Sequence, residues 1–370
     1  MIILFVSNLS GDPSSGLTYS VPSRIKALES IDDVLWINLN DNITDSWKEV
    51  NSFHKLNEYG DRISLTILPE PFNKPDVVAL EDFYYFKTLM FSYELRRKGI
   101  PYIVVPRSNL TYLAQHNKSW LKKKISNHLL FYRFAQKALC IQYLTETEQK
   151  NSSFKWNKKY IVVPNGITMP DKKKVSFSID GIRSIFIGRL NAYHKGLDLL
   201  LEAIYNEKES LIAANFSLII YGKKNRDFEK LKEMVCNYRL MDIVSFGGEI
   251  TGREKEEAII MSDLFIMTSR FEGHPMGLIE ALSYGLPCIV SEGTNMAREI
   301  NDADAGWTCE GNVRSIQNAL LRAICEKDQY VTKSNNSLTL AKEYNWTKLA
   351  KRFHDEVKYL LNQSNKTHKY

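Results

Sequence analysis

The sequence predicts an α/β chain built from two doubly wound parallel-sheet units. Three observations carry that prediction. The chain has 370 residues, too many for one ordinary core and enough for two. Its composition, 44% hydrophobic and 25% charged, is that of a globular protein rather than a disordered one. Short apolar or β-branched runs alternate with amphipathic stretches along its length, which places helices over both faces of parallel sheets.

In the first half, such runs predict strands at Ile2–Ser7, Val34–Leu39, Ile63–Leu68, Tyr102–Pro106 and Leu139–Leu144. Apolar residues at 3.6-residue spacing predict helices over Ser20–Glu29, Glu81–Lys98 and Lys118–Lys137. The turn tripeptide Pro164-Asn165-Gly166 marks the boundary, giving units over residues 1–164 and 165–345. Beside that boundary and beyond it, strands are predicted at Tyr160–Val163, Ser184–Ile187, Phe216–Tyr221, Ile243–Phe246, Leu264–Thr268 and Cys288–Ser291. Helices fall near Leu197–Ile204, Asp227–Val235, Glu254–Met261 and Met276–Tyr284. The segment 346–370 opens with an amphipathic helix, Trp346–Leu361, that either caps the second unit or crosses back to the first. Its polar end, Asn362–Tyr370, is expected to fray.

Composition excludes several classes. The 49 Lys+Arg against 43 Asp+Glu give a net charge of +6, which favours anionic ligands but lacks the concentrated basic stripe of a nucleic-acid binder. Five cysteines without a CxxC pair argue against a disulfide framework or zinc knuckle and suit a reducing cytoplasm. The 7 histidines show no HExxH-type spacing, so no metal or cofactor is expected. Met1–Val6 ends at Ser7-Asn8 without a basic lead or cleavage motif and reads as a first strand. No run of about 18 apolar residues predicts a membrane-spanning helix. No G-x-G-x-x-G follows the first strand, which disfavours a dinucleotide dehydrogenase.

Ligands of a doubly wound sheet bind beyond the carboxyl ends of its strands. Arg189, Gly222, Gly247-Gly248-Glu249 and Ser269-Arg270-Phe271-Glu272 each follow a predicted strand of the second unit. Pro275 and Gly285 bracket a helix whose first amides, at Met276, Gly277 and Leu278, are expected to lack intrahelical acceptors and so to favour an anion. Glu280 lies one turn down the same face among Leu278, Ile279, Ala281 and Leu282. A carboxylate there needs partners, either the hydroxyls of a sugar or a neighbouring loop amide. Arg189 and Lys195 bracket a loop ahead of Gly196, where a helix begins; two cations at that place either cradle a diphosphate or are solvated surface charges.

These residues resemble the retaining nucleotide-sugar glycosyltransferases of glycosyltransferase family four (glycosyl transferases group 1). Its donor signature stands here as Phe186-Ile-Gly-Arg189 … Lys195-Gly-Leu-Asp-Leu-Leu200, its paired glutamates as Glu272 and Glu280, and its interdomain motif as Val163-Pro-Asn-Gly166. Ala305-Gly306-Trp307 matches the usual loop after the last donor-domain strand. The resemblance is strong from Tyr160 to Trp307 and weak before it. It implies a GT-B fold, two Rossmann-like domains facing a central cleft, with the acceptor held by the first and the donor by the second. It assigns Arg189 and Lys195 to the donor diphosphate and Glu280 to the ribose hydroxyls. Glu272 goes beside the transferred sugar, where it either stabilises the oxocarbenium-like centre or is a structural acceptor. His274 and the amides of Met276, Gly277 and Leu278 take sugar or phosphate, and main-chain groups at Glu249-Ile250 take the base. The family's glycine loop after strand one keeps only Gly16. Many members end a middle strand of the first domain with a histidine; this chain has Arg107-Ser108-Asn109 there, so Arg107 and Asn109 become the candidates for contacting donor or acceptor.

The resemblance therefore implies a hexosyltransferase that uses a nucleotide sugar, UDP before GDP, with retention and without a metal. Asp302-Ala-Asp304 reads as a solvated turn rather than a metal site. Lysines interleave with Trp120, Leu121, Ile125 and Phe131 on the basic helix at 117–137. That face either contacts an anionic membrane or packs its apolar stripe into the first unit. On the first reading a polyprenyl-diphosphate-linked saccharide is the natural acceptor, and the protein works in the cytoplasm at the inner face of the membrane, in bacterial cell-surface polysaccharide synthesis. The rivals are the same chemistry on a soluble metabolite or protein, and a nucleotide-sugar-binding partner without turnover.

Overall fold

The computed structural model describes residues 1–12, 15–116, 120–153 and 155–367. The chain divides into two compact units: residues up to Gly166 joined by the helix Trp346–Thr367, and Ile167–Asn345.

The first unit holds strands β1 (Ile2–Ser7), β2 (Asp33–Asn38), β3 (Phe53–Lys55), β4 (Val77–Glu81), β5 (Tyr102–Val105), β6 (Cys140–Tyr143) and β7 (Tyr160–Val162). They form a 7-stranded parallel sheet in the order β3-β2-β1-β4-β5-β6-β7, so the strand order reverses between β1 and β4. Both faces are covered because β1 is apolar from Ile2 to Val6: Leu4 and Val6 enter one core with Leu35, Val78 and Phe83. Ile3 and Phe5 enter the other with Val21, Trp36 and Trp47. Helix Trp346–Thr367 seals that second core with Leu349, Ala350, Phe353 and Val357. It runs past Leu361 to Thr367, so Asn362–Thr367 is helical rather than frayed; His368–Tyr370 lie outside the described residues.

The second unit holds β8 (Ile182–Ile187), β9 (Phe216–Tyr221), β10 (Val244–Gly248), β11 (Leu264–Met267), β12 (Cys288–Ser291) and β13 (Gly306–Cys309). Its 6-stranded parallel sheet has the order β10-β9-β8-β11-β12-β13, reversing between β8 and β11.

Several sequence expectations are corrected. Ile63–Leu68 is no strand: Leu65–Ile67 forms a 3-10 turn whose Leu65 is buried. Glu94 replaces the missing sheet neighbour by accepting from the Ser64 hydroxyl at 2.9 Å and the Leu65 amide at 3.0 Å. The helix expected from Glu81 begins at Phe86, because Val77–Glu81 is a buried central strand whose short apolar run has no readable period. Gly306-Trp307 is strand, not loop; Gly306 is needed there because a Cβ would collide with the Cys288 backbone. Asp302 ends a helix and pairs with Arg298 at 3.3 Å, while Asp304 pairs with Lys333 at 2.5 Å; both carboxylates stay solvent-exposed, as the sequence reading has them. No helix among the described residues is long and apolar enough to cross a membrane.

Candidate functional site

In the second unit the strand order reverses between β8 and β11, and ligands of doubly wound sheets bind at the carboxyl ends of strands at such a switch point. The segment after β8 delivers Arg189 and Lys195; the segment after β11 delivers Ser269 to His274. Gly222, after β9, lies so close to the Gly188 carbonyl that a Cβ has no room. Gly196 starts the helix Leu197–Asn206 at φ 63° and sits on the Thr268 carbonyl. That contact joins the loop after β8 to the end of β11. Replacing Gly196 by alanine imposes both a left-handed strain and a clash. It is expected to lower the urea midpoint, with a loss of roughly 1–3 kcal/mol.

The centre is an ion pair. Lys195 Nζ lies 2.5 Å from Glu272 Oε1, and their side chains are only 9% and 11% exposed. The Ser269 hydroxyl donates to the same oxygen at 2.8 Å. His194 Nε2 stands 3.7 Å from Glu272 and 2.6 Å from the Phe271 carbonyl, with its ring stacked on Phe271 at 4.3 Å. Burial works to raise the Glu272 carboxyl, but the Lys195 ammonium and the His194 ring hold it below its ordinary range. Burial lowers the His194 imidazole by more than Glu272 raises it.

Two further contacts fix Glu272 from behind. Arg270 grips Asp198 through two bonds, at 2.7 and 2.9 Å, and donates to the Tyr193 carbonyl at 2.6 Å. Asn295, at φ 59°, donates to the Glu272 carbonyl. Arg189 differs from all of these: its side chain is exposed and has no hydrogen-bond or ion-pair partner among the described residues. The site thus offers one open cation, Arg189, near two that are already paired, Lys195 and Arg270.

Helix Met276–Ser283 follows, entered through Pro275 at φ −75° and closed by Gly285 at φ 84°. Its first turn corrects one expectation. The Leu278 amide donates to the Pro275 carbonyl at 3.1 Å, so only Met276 and Gly277 keep amides without a backbone acceptor among the described residues. Gly277 brings the helix close to β8, since a Cβ would stand 3.2 Å from the Ile187 carbonyl. Glu280 has a protein partner that sequence reasoning missed: Lys255 Nζ lies 2.8 Å away. His274 is buried, packs on Tyr344 at 4.9 Å, and burial pushes its imidazole down to about 3, so it is neutral. Glu249 and Ile250 follow β10 beyond Gly248, Glu249 exposed.

The first-unit candidates are placed differently. Gly16 caps the helix Leu17–Leu28 in an ordinary right-handed conformation that any residue adopts. Arg107 is not presented as a free ligand group: it donates twice to Glu81 Oε2, at 3.1 and 2.8 Å, and once to Asn165 at 2.8 Å. Burial lowers its guanidinium to about 10. Asn109 donates to Asp82 at 2.9 Å.

Ser269 and Arg270 were placed at the rim from the sequence without a role; His194 and Asp198 were missed although they lie inside segments singled out there, where their spacing to Lys195 was the available signal. Lys255 and Asn295 come from elements with no motif.

Residues 170–339 match the family model for Glycosyl transferases group 1. Over 34% of its length the chain is 31% identical to mannosylfructose-phosphate synthase of Agrobacterium fabrum, spanning 28% of that relative. It is 24% identical, over 70% of both chains, to the UDP-Gal:alpha-D-GlcNAc-diphosphoundecaprenol alpha-1,3-galactosyltransferase of Escherichia coli. Among solved structures, Anabaena HepE in complex with UDP superposes with a TM-score of 0.73 at 15% identity, covering 97% of this chain and 100% of that one. Residues 170–339 of the second unit thus resemble glycosyl transferases group 1, and the two parallel sheets match structures of GT-B fold.

Proposed function

We propose that the protein is a retaining hexosyltransferase. It moves a hexose or N-acetylhexosamine from a nucleotide sugar, UDP-linked in preference to GDP-linked, to a saccharide acceptor in bacterial cell-surface polysaccharide synthesis. The observation that carries this reading is the buried Lys195–Glu272 pair with Arg189 open beside it at the carboxyl ends of β8 and β11. The chemistry breaks the bond between the sugar and the diphosphate, and negative charge grows on the leaving oxygen. Arg189, Lys195 and the Met276 and Gly277 amides supply positive charge from the chain itself, with no metal required by the proposal. In the retaining course that oxygen takes the acceptor proton on the face it leaves, and the acceptor oxygen forms the new bond there. Glu272 orients Lys195 and faces the sugar; Glu280 exchanges part of its bond to Lys255 for ribose hydroxyls. The E. coli relative, named for a UDP-sugar donor and a diphosphoundecaprenol-linked acceptor, supports UDP and a lipid-linked saccharide.

Thermal stability against UDP, GDP and ADP sugars tests the reading, since a specific ligand raises the melting temperature by linkage. UDP sugars are expected to give the largest rise. Arg189→Gln is expected to leave the unliganded protein within about 0.5 kcal/mol of wild type, because its side chain is exposed and unpartnered. The same change should weaken UDP binding about tenfold or more. An undiminished UDP shift in that variant would remove Arg189 from the site.

A further inference from the structure

We propose that the open face of the helical segment Trp120–Gln136 docks this protein on an anionic phospholipid bilayer. The segment runs as helix Trp120–Ser126, a π turn Asn127–Phe131 and helix Tyr132–Gln136; Asn117–Ser119 lie outside the described residues. Its inward face is Asn127, Phe131, Phe134 and Ala135, which are buried. Its outward face is apolar as well. Leu121, Ile125 and Leu129 recur at every fourth residue, stacked along one side, and are 56%, 60% and 68% exposed. The apolar stripe expected to pack into the first unit is therefore split, and this half of it has no protein cover among the described residues.

Charge decides the occupant. Lys122 and Lys124 flank the exposed stripe, both exposed, with the Lys124 ammonium 5.9 Å over the Trp120 ring. Lys123 turns away: its ammonium donates to the Ala114 carbonyl at 2.6 Å, which ties the segment to the turn bearing exposed Tyr112 and Leu113. From Glu94 to Glu146 the intervening chain carries ten lysines and arginines and no Asp or Glu. An apolar centre with a cationic rim matches a surface that is hydrocarbon beneath and phosphate above. A second copy in a two-fold arrangement sets lysine rim against lysine rim. Nucleic acid leaves the apolar centre exposed. The surface does not depend on the transferase reading, because vesicle binding and nucleotide binding are measured separately.

The test is cosedimentation with vesicles of phosphatidylglycerol and phosphatidylcholine in equal parts, against phosphatidylcholine alone, using the full chain. Wild type is expected to partition about tenfold or more in favour of the anionic vesicles, less at high salt. Leu121→Ser/Ile125→Ser/Leu129→Ser should lose about tenfold or more of that binding while keeping its melting temperature and UDP response. The double variant Lys122→Glu/Lys124→Glu, at exposed positions that no fold contact requires, should lose the preference for anionic lipid. Equal partitioning into both vesicles by wild type, or variants that bind as wild type does, overturns the proposal. So does a dimer that the serine variant abolishes.

Discussion

Replacing Lys195 by methionine is expected to cost about 3 kcal/mol of stability and about a hundredfold or more in transfer rate. The two losses have different origins. The stability loss arises because Glu272 would keep its buried position without the ammonium 2.5 Å away, while the Ser269 hydroxyl and the His194 ring at 3.7 Å do not replace that charge. The rate loss arises because Lys195 is one of two side-chain cations proposed to meet the leaving diphosphate. A second substitution separates them. Lys195→Met/Glu272→Gln removes the uncompensated charge and should recover most of the stability, since a buried pair is replaceable by neutral groups where a half-pair is not. It should recover none of the activity. Recovery of both would make the pair a structural contact only.

The same pair predicts an acid sensitivity. The folded Glu272 carboxyl sits below its ordinary value near 4.5. Its contribution to stability is thus full above that value and lost as pH falls through the lower folded one. Wild type should therefore lose stability in that window more steeply than Lys195→Met/Glu272→Gln, in denaturant titrations at stepped pH. Parallel profiles would mean that Glu272 titrates as it does in the unfolded chain.

The second unit was the more legible because its charged segments are local. Gly188-Arg189, Lys195-Gly196 and Glu272 to Glu280 are short segments whose glycine and charge spacing imposes a conformation, as the φ of 63° at Gly196 shows. The first unit is held by contacts between residues far apart in sequence: Arg24 to Gln142, Arg107 to Asn165, Trp47 to the Thr18 carbonyl. No window of sequence displays such partners, so Arg107 read as a ligand group when the fold uses it as a tie. Strand β4 was missed for a related reason. A run buried on both faces has neither alternation nor helical period, and only its neighbours β1 and β5 show it to be a strand. Lys255 illustrates the limit within the second unit: an apolar setting was inferred for Glu280 from its own helix, while its cation comes from the neighbouring helix Gly252–Met261.

Glu81→Gln should be the most destabilising polar substitution in the first unit, at about 3–5 kcal/mol and roughly 10 °C in melting temperature. Glu81 is the carboxylate that Arg24 and Arg107 share: Arg24 bonds one oxygen and Arg107 the other, with side-chain exposures of 3%, 8% and 2% for Arg24, Arg107 and Glu81. Burial, and then the charge of Arg107, already hold the Arg24 guanidinium well below its ordinary value. Its other supports are the Gln142 side chain at 2.9 Å and the faces of Phe5 and Phe353, at 5.0 and 5.5 Å, none of which carries a negative charge. An amide at position 81 still accepts a hydrogen bond but leaves two guanidinium groups repelling each other in the interior. Because Phe353 belongs to the helix Trp346–Thr367, the loss should be read there first, as faster amide exchange in that helix than in the sheet. Arg24→Met in the Glu81→Gln background should restore part of the stability by removing one of the two cations. Additive losses in that double variant would show that Arg24 and Glu81 stabilise the unit independently.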